Sequence, residues 1–126
     1  MGKEQVLKLL QEKQRRIETR RIEQYEPYKY QSEFHREGSD CAQRILMAAN
    51  RVGKTYCGAA ETAYHLTGHY PKWWEGRKFT KPIRAWAAGE SNDTTRDIIQ
   101  KELFGNPQDP LKKGTGAVPL EDIVET

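Results

Sequence analysis

The sequence has few of the features that mark secreted or membrane-inserted chains. It holds two cysteines, Cys41 and Cys57, which are too few for a disulfide framework and lack metal-ligand spacing. Its longest apolar runs are five residues, such as 45–49, far short of the roughly 20 residues of a membrane span. The start has no uninterrupted apolar stretch, as a signal peptide would need. These absences predict a reduced, intracellular chain with no membrane partner.

The net charge of +3 is small, but it is distributed unevenly. Residues 1–25 carry seven basic and four acidic groups, whereas residues 26–126 carry fourteen of each, so the first segment holds the whole excess. Residues 3–25 contain no glycine or proline and predict one helix, which ends before Pro27. We therefore predict a basic N-terminal helical arm over 1–26. It is either a solvated helix or a contact with a partner subunit or DNA.

Strands and helices are predicted to alternate through the rest of the chain. The apolar runs 44–49 and 83–89 read as buried strands, and 54–66 and 93–104 read as helices. A strand, helix, strand, helix order implies a parallel sheet. The prediction is thus an α/β fold, with helices flanking a parallel sheet and an N-terminal helix before it.

The segment 48–55, AANRVGKT, resembles the phosphate-binding loop G-x-x-x-x-G-K-[ST], with Ala48 in place of the first glycine. Such a loop wraps backbone N–H groups around phosphates, so Gly53 must be free to adopt unusual dihedral angles. Lys54 brings a flexible positive charge to the phosphates, and Thr55 brings a hydroxyl to Mg²⁺. Asn50, Arg51 and Val52 complete the predicted ATP-binding loop.

Two further residues are candidates by their position. Arg51 lies three residues before Lys54, where its guanidinium either stabilises charge on the γ-phosphate or pairs with an acidic residue of the protein. Gln31 precedes the first predicted strand, and its amide is suited to read the edge of adenine. Trp73 and Trp74 lie among basic residues in a predicted loop, and pack there or stack on bases.

An acidic residue at the end of a later apolar strand, which an ATPase of this class needs for Mg²⁺ and for water activation, is missing. The run that ends at Glu90 comes closest, but it is interrupted by Gly89 and lies on the adjacent strand. Residues 27–126 therefore read as the N-terminal portion of a P-loop ATPase domain of the ASCE type. We expect this portion alone to be inactive in hydrolysis.

Six motifs in order resemble the large terminase subunit of tailed bacteriophages. They are PYKYQSEFH (27–35), NRVGKT (50–55), YPKWWEGRKF (70–79), WAAG (86–89), TRDIIQ (95–100) and GTGAVP (114–119). The resemblance implies an ATPase that drives double-stranded DNA into a procapsid, joined to a nuclease domain that cuts the DNA. It assigns Gln31 to adenine, and Gly53, Lys54 and Thr55 to phosphate and Mg²⁺.

The resemblance also implies partners: the small terminase subunit, the portal and procapsid, and further copies of the chain on the portal, in the cytoplasm of the bacterial host. Two departures are Ala48 and the placing of Arg51 one residue later than the basic residue of many relatives. The acidic strand and the nuclease domain are absent, so the chain reads as an N-terminal fragment. The alternatives are a small stand-alone nucleotide-binding protein and a non-enzymatic interaction module with a basic arm.

Overall fold

The structure is a computed structural model that describes residues 2–47 and 53–124. Every regular element in these ranges is helical. The α-helices are α1 (Lys3–Thr19), α2 (Lys29–Glu37), α3 (Lys54–Thr67), α4 (Asn92–Thr94) and α5 (Lys101–Phe104), with a π-helix at Thr95–Gln100. Short 3₁₀ helices lie at Arg21–Gln24, Pro110–Lys112 and Leu120–Asp122.

The predicted α/β fold with a parallel sheet is wrong for the described residues, because residues 2–47 and 53–124 contain no strand. Residues 44–47 and 83–89 are irregular rather than strands. Their apolar side chains are not buried: Ile45 is 83% exposed, Met47 is 87% exposed and Trp86 is 97% exposed. An apolar run indicates a preference for burial, but a strand also needs a neighbouring backbone to pair with, which neither segment has here.

The first predicted helix is confirmed over most of its length but ends early. It stops at Thr19, and Arg20 leaves the helical region with φ of −132°. The chain then forms the short 3₁₀ helix Arg21–Gln24, which turns Ile22 and Tyr25 into the core, while α1 itself buries no residue. None of the helices in the described ranges is long and apolar enough to cross a membrane.

Helix α3 lies at the centre of the core, between α2 and α5. It begins at Lys54 and ends at Gly68, whose φ of +72° closes it in a left-handed cap, as its sequence predicts. Its buried face is made largely of alanine, and small side chains let neighbouring elements approach closely. The core consists of Ile22, Tyr25, Ala59, Ala60, Ala63, Tyr64, Trp74, Leu103, Ala117 and Val118.

The predicted helix over 93–104 is present as α4, the π-helix and α5 in direct succession. Its N-terminus is capped by Ser91, whose side chain accepts a hydrogen bond from the Thr94 N–H. Its last carbonyls, at residues 102–104, accept hydrogen bonds from the N–H groups of Ala117, Val118 and Gly114. The GTGAVP segment therefore completes the end of this helix, which explains why glycines are found there.

Candidate functional site

Gly53 adopts the left-handed conformation that the sequence argument requires of it. Its φ is +85°, and it is the residue immediately before α3. A Cβ at this position would lie 2.8 Å from Nε2 of Gln31. Any other residue would thus be strained in its backbone and would also collide with the Gln31 amide.

Gln31 is buried in α2 and its amide already has two partners. Its Oε1 accepts a hydrogen bond of 2.8 Å from the N–H of Tyr28, and its Nε2 donates one of 3.1 Å to the carbonyl of Gly53. The side chain therefore ties the start of α2 to the residue that starts α3. An amide can form up to four hydrogen bonds, and the described residues use two of them.

The hydroxyl of Tyr30 lies beside the same glycine. It is buried and has no hydrogen-bond partner among the described residues. A Cβ on Gly53 would be 3.5 Å from it. A buried hydroxyl without a hydrogen-bond partner costs free energy. A ligand or a neighbouring loop beside Gly53 would supply the missing partner.

The predicted residues line two different clefts. A cleft of about 400 Å³ contains Gln31 and Gly53, and its aromatic walls are Tyr25, Tyr28 and Tyr56. A second cleft, of about 280 Å³, contains Lys54 and Thr55 together with side chains of the 86–88 segment and of α5. The start of α3 therefore separates an aromatic, amide-lined space from a space lined by a positive charge and a hydroxyl.

Glu102 is the residue near the site that sequence reasoning missed. It lies on α5 and lines the same cleft as Lys54 and Thr55. Glu90, which the sequence argument considered and rejected, is exposed in the turn before α4. A search for an acid after an apolar strand does not find Glu102, because this carboxylate comes from a helix that packs beside α3.

Asn50, Arg51 and Val52 lie outside the described residues, as does Ala48. The structure brings together Gln31, Gly53, Lys54 and Thr55 around the start of α3. The roles predicted for all seven candidate residues stay predictions.

A buried group of polar side chains, centred on Glu61, lies further along α3. Its carboxylate accepts hydrogen bonds from His35 Nδ1 at 2.8 Å and from His65 Nε2 at 3.2 Å. Arg44 binds it through both terminal nitrogens, with Nη1 3.1 Å from Oε2 and Nη2 bonded to Oε1. Glu61 is 5% exposed and His35 is 1% exposed, so these are interactions inside the protein.

Each histidine in this group uses its second nitrogen as well. Because an ionised carboxylate only accepts, the histidine nitrogens facing Glu61 are donors. The other nitrogen of His35 is 2.9 Å from the Tyr25 hydroxyl, and that of His65 is 2.9 Å from the Tyr70 hydroxyl, which accepts the N–H of Phe79. A neutral His35 is therefore protonated at Nδ1 and a neutral His65 at Nε2, and the second nitrogen of each ring accepts from a tyrosine hydroxyl.

The charge state of this group follows from its bonds. Burial by itself raises the pKa of Glu61, but the hydrogen bonds from His35, His65 and Arg44 outweigh burial and hold that pKa well below its usual range. The neighbouring Cys57 is fully buried, and burial raises the pKa of its thiol to about 11. Cys57 is therefore an unreactive core residue.

A cavity of about 510 Å³ borders this group and is lined by none of the described candidate residues. Arg44, Glu61, His65, Arg77 and Phe79 are among its walls. Within the described ranges no cluster of His, Cys, Asp and Glu side chains is arranged to hold a metal ion. Size alone does not mark this cavity as the nucleotide site.

The comparisons with known proteins agree on a family. The family model described as "Terminase large subunit, T4likevirus-type, N-terminal" matches residues 45–126. The "Terminase, large subunit" of Salmonella phage P22 is 36% identical over 132 aligned positions, which cover 95% of this chain. No solved structure matches. The chain belongs to the family of large terminase subunits of bacteriophages, and the resemblance predicted from its motifs is confirmed.

The match also shows how much of the relative's length this chain corresponds to. The chain spans about a quarter of the relative's length, 26%. The description of the matching family model assigns the match to the N-terminal region of such subunits.

Proposed function

We propose that this region binds ATP together with Mg²⁺ through the loop that precedes α3. The observation that carries the proposal is Gly53, left-handed and held by Gln31 at the start of a 14-residue helix whose first two residues are Lys54 and Thr55. The N-terminus of such a helix presents free N–H groups and a partial positive charge to an anion.

The residues present fit a bound nucleotide. The space that a Cβ would occupy at Gly53 is bounded by the amide of Gln31 and the hydroxyl of Tyr30, which has no partner among the described residues. The adjoining cleft has aromatic walls, as base-binding sites often do. Among the described residues, Gln31 uses one N–H and one lone pair, and its second N–H and second lone pair suit the edge of adenine.

The remaining roles divide among the loop residues. Lys54 holds the β and γ phosphates, and Thr55 holds Mg²⁺, which neutralises phosphate charge when bound. Asn50, Val52 and Gly53 contribute backbone N–H groups. Arg51 either stabilises charge that develops on the γ-phosphate or pairs with an acidic residue of the protein.

In the longer protein, the proposed role is to couple ATP hydrolysis to the translocation of double-stranded DNA into a procapsid, together with DNA cleavage. Its proposed partners are the small terminase subunit, the portal and other copies of the chain, in the cytoplasm of the host. The exposed basic residues of α1 favour non-specific contact with DNA.

Lys54→Ala in the 126-residue chain tests the proposal directly. A buried charge-assisted contact to phosphate is worth about 1.5–3 kcal/mol, so the variant should bind ATP about 10–100-fold more weakly in calorimetry. Lys101→Ala is the control, since it removes the same charge from a helix position that lines neither cleft. Equal affinity of the Lys54 variant and the wild type would remove the proposal.

A further inference from the structure

Glu61 joins the two chain segments that flank the proposed nucleotide-binding loop. Arg44 is on the segment that leads into residues 48–52, and Glu61 is on α3, which follows them. Glu61 lies seven residues after Lys54, about two helical turns, and therefore on the same side of α3. The ion pair between Arg44 and Glu61 therefore joins the segment before residues 48–52 to the helix that follows them.

Arg44 is held at more than one point. Besides both oxygens of Glu61, its Nη1 donates to the carbonyl of Phe34 in α2, and its guanidinium lies 4.4 Å from the centroid of the Phe34 ring. A two-pronged contact with a carboxylate fixes the orientation of the arginine as well as its distance. The arginine cannot shift along α3 without losing several contacts at once.

His35 extends the same group to the helix that carries Gln31. Its Nδ1 donates to Glu61, and Gln31 lies one turn earlier on α2. The three elements that surround the proposed site thus meet at one carboxylate. Well-packed apolar side chains in this space would give about the same stability, because a buried ion pair adds little net stability over them. Apolar side chains would not, however, hold the three elements in one register.

We propose that Glu61 and Arg44 are positioning residues for nucleotide binding, a clamp that sets the segment before the loop, α3 and α2 in the arrangement that ATP requires. Neither side chain lines either of the two clefts, so the clamp acts through the segment before the loop and through Gln31. This inference rests on the proposed function, which supplies the ligand.

A second ion pair provides a matched control. Arg20 Nη2 and Glu121 Oε2 are 2.9 Å apart and also join distant parts of the chain, but both side chains are substantially exposed and neither lines the two clefts. Glu121→Gln and Glu61→Gln make the same chemical change, the loss of one carboxylate charge. Only the second change touches the clamp.

The first measurement is ATP affinity by calorimetry, at a temperature where circular dichroism finds every variant fully folded. We expect Glu61→Gln and Arg44→Gln each to weaken ATP binding about tenfold, Arg44→Lys to recover only part of the loss because lysine keeps the charge but not the two-pronged contact, and Glu121→Gln to match the wild type. If Glu61→Gln does not fold, the Arg44 pair decides. Affinities within twofold of the wild type for Arg44→Gln would overturn the proposal.

The second measurement needs no nucleotide. Trypsin must accept the Arg44 side chain to cleave after it, and the clamp withholds that side chain. Glu61→Gln should speed cleavage after Arg44 about tenfold while cleavage after Arg77 stays unchanged, and Glu121→Gln should leave the Arg44 rate as it is. An unchanged Arg44 rate in Glu61→Gln would refute the clamp, whereas failure of the wild type to bind ATP, with the Arg44 rate raised, would refute the proposed function instead.

Discussion

Helices α1 and α3 have similar lengths, 17 and 14 residues, but they are held in opposite ways. Helix α1 buries no side chain, and the pairs that support it are local, such as Arg16 with Glu12 one turn away. Helix α3 buries six residues, and among them is the charged Glu61. Helix α1 is therefore stabilised by the helix propensity of its residues and by local charge pairs, whereas α3 is stabilised by packing against other parts of the chain.

The change from exposed helix to buried core falls inside the segment that the sequence predicts to be the arm. The arm was predicted to include residues up to 26, yet Ile22 and Tyr25 are core residues. Arg21 also reaches the far end of the chain, where its Nη1 donates to the carbonyl of Thr115 at 3.1 Å. Within the predicted arm, α1 is therefore the part that buries no residue in the core.

Two deletions should separate the arm from the core, and they carry the largest expected effect. Removing residues 2–19 should change the free energy of unfolding by less than about 0.5 kcal/mol, because nothing buried is lost. Removing residues 2–25 also takes Ile22 and Tyr25, at about 1.5–3 kcal/mol for each buried side chain. Urea denaturation of the two deletion variants measures the difference. Equal stabilities would mean that Ile22 and Tyr25 do not belong to the core.

The pH dependence of stability should come from the α3 region and not from the arm. The pKa of Glu61 is lower in the folded chain than its ordinary 4.5, so the unfolded chain takes up its proton first. The stabilisation is complete above that ordinary value and is lost as the pH falls below it. Glu61→Gln should flatten this acid-side loss in urea titrations.

The control for that titration is Glu121→Gln, which removes an exposed carboxylate. Its stability curve should fall with acid as steeply as that of the wild type. A curve for Glu61→Gln that also falls as steeply would show that other carboxylates govern the acid response.

The smallest expected effect concerns the affinity of α1 for DNA. Residues 2–19 carry five basic and three acidic groups, so their removal lowers the net charge from +3 to +1. Retention of the chain on a DNA column at low salt should weaken, and its dependence on salt should become shallower. If the deletion leaves retention unchanged, the positive charge of α1 serves solubility and does not contribute to DNA binding.

The sequence predicted the helices well because their signals are local. Lys54–Thr67 has alanines inside it and Gly68 after it, and both features act over one or two turns. The same local reasoning found Gly53 and its left-handed backbone. It failed for 44–47 and 83–89, because whether an extended segment becomes a strand depends on a partner that its own residues do not specify.

For the site, motif spacing was enough to identify Gln31, Gly53, Lys54 and Thr55 as candidate residues. Six motifs in order were enough to identify the family. Spacing did not find Glu61, because a glutamate in an amphipathic helix ordinarily faces solvent. Only folding brings His35, Arg44 and His65 around it, from positions up to 26 residues away.

By itself the sequence determined most of α1, α3 and the helix over 92–104, the glycine that precedes α3, and the membership in the large terminase subunits. The signals for each of these lie in residues that are close together along the chain, or in motifs that occur in a characteristic order. The tertiary structure decided where the arm ends, which cleft each candidate residue lines, and that the segments flanking the loop meet at Glu61. The physical reason is that burial and the pairing of a buried charge depend on distances in space, which chain separation does not fix.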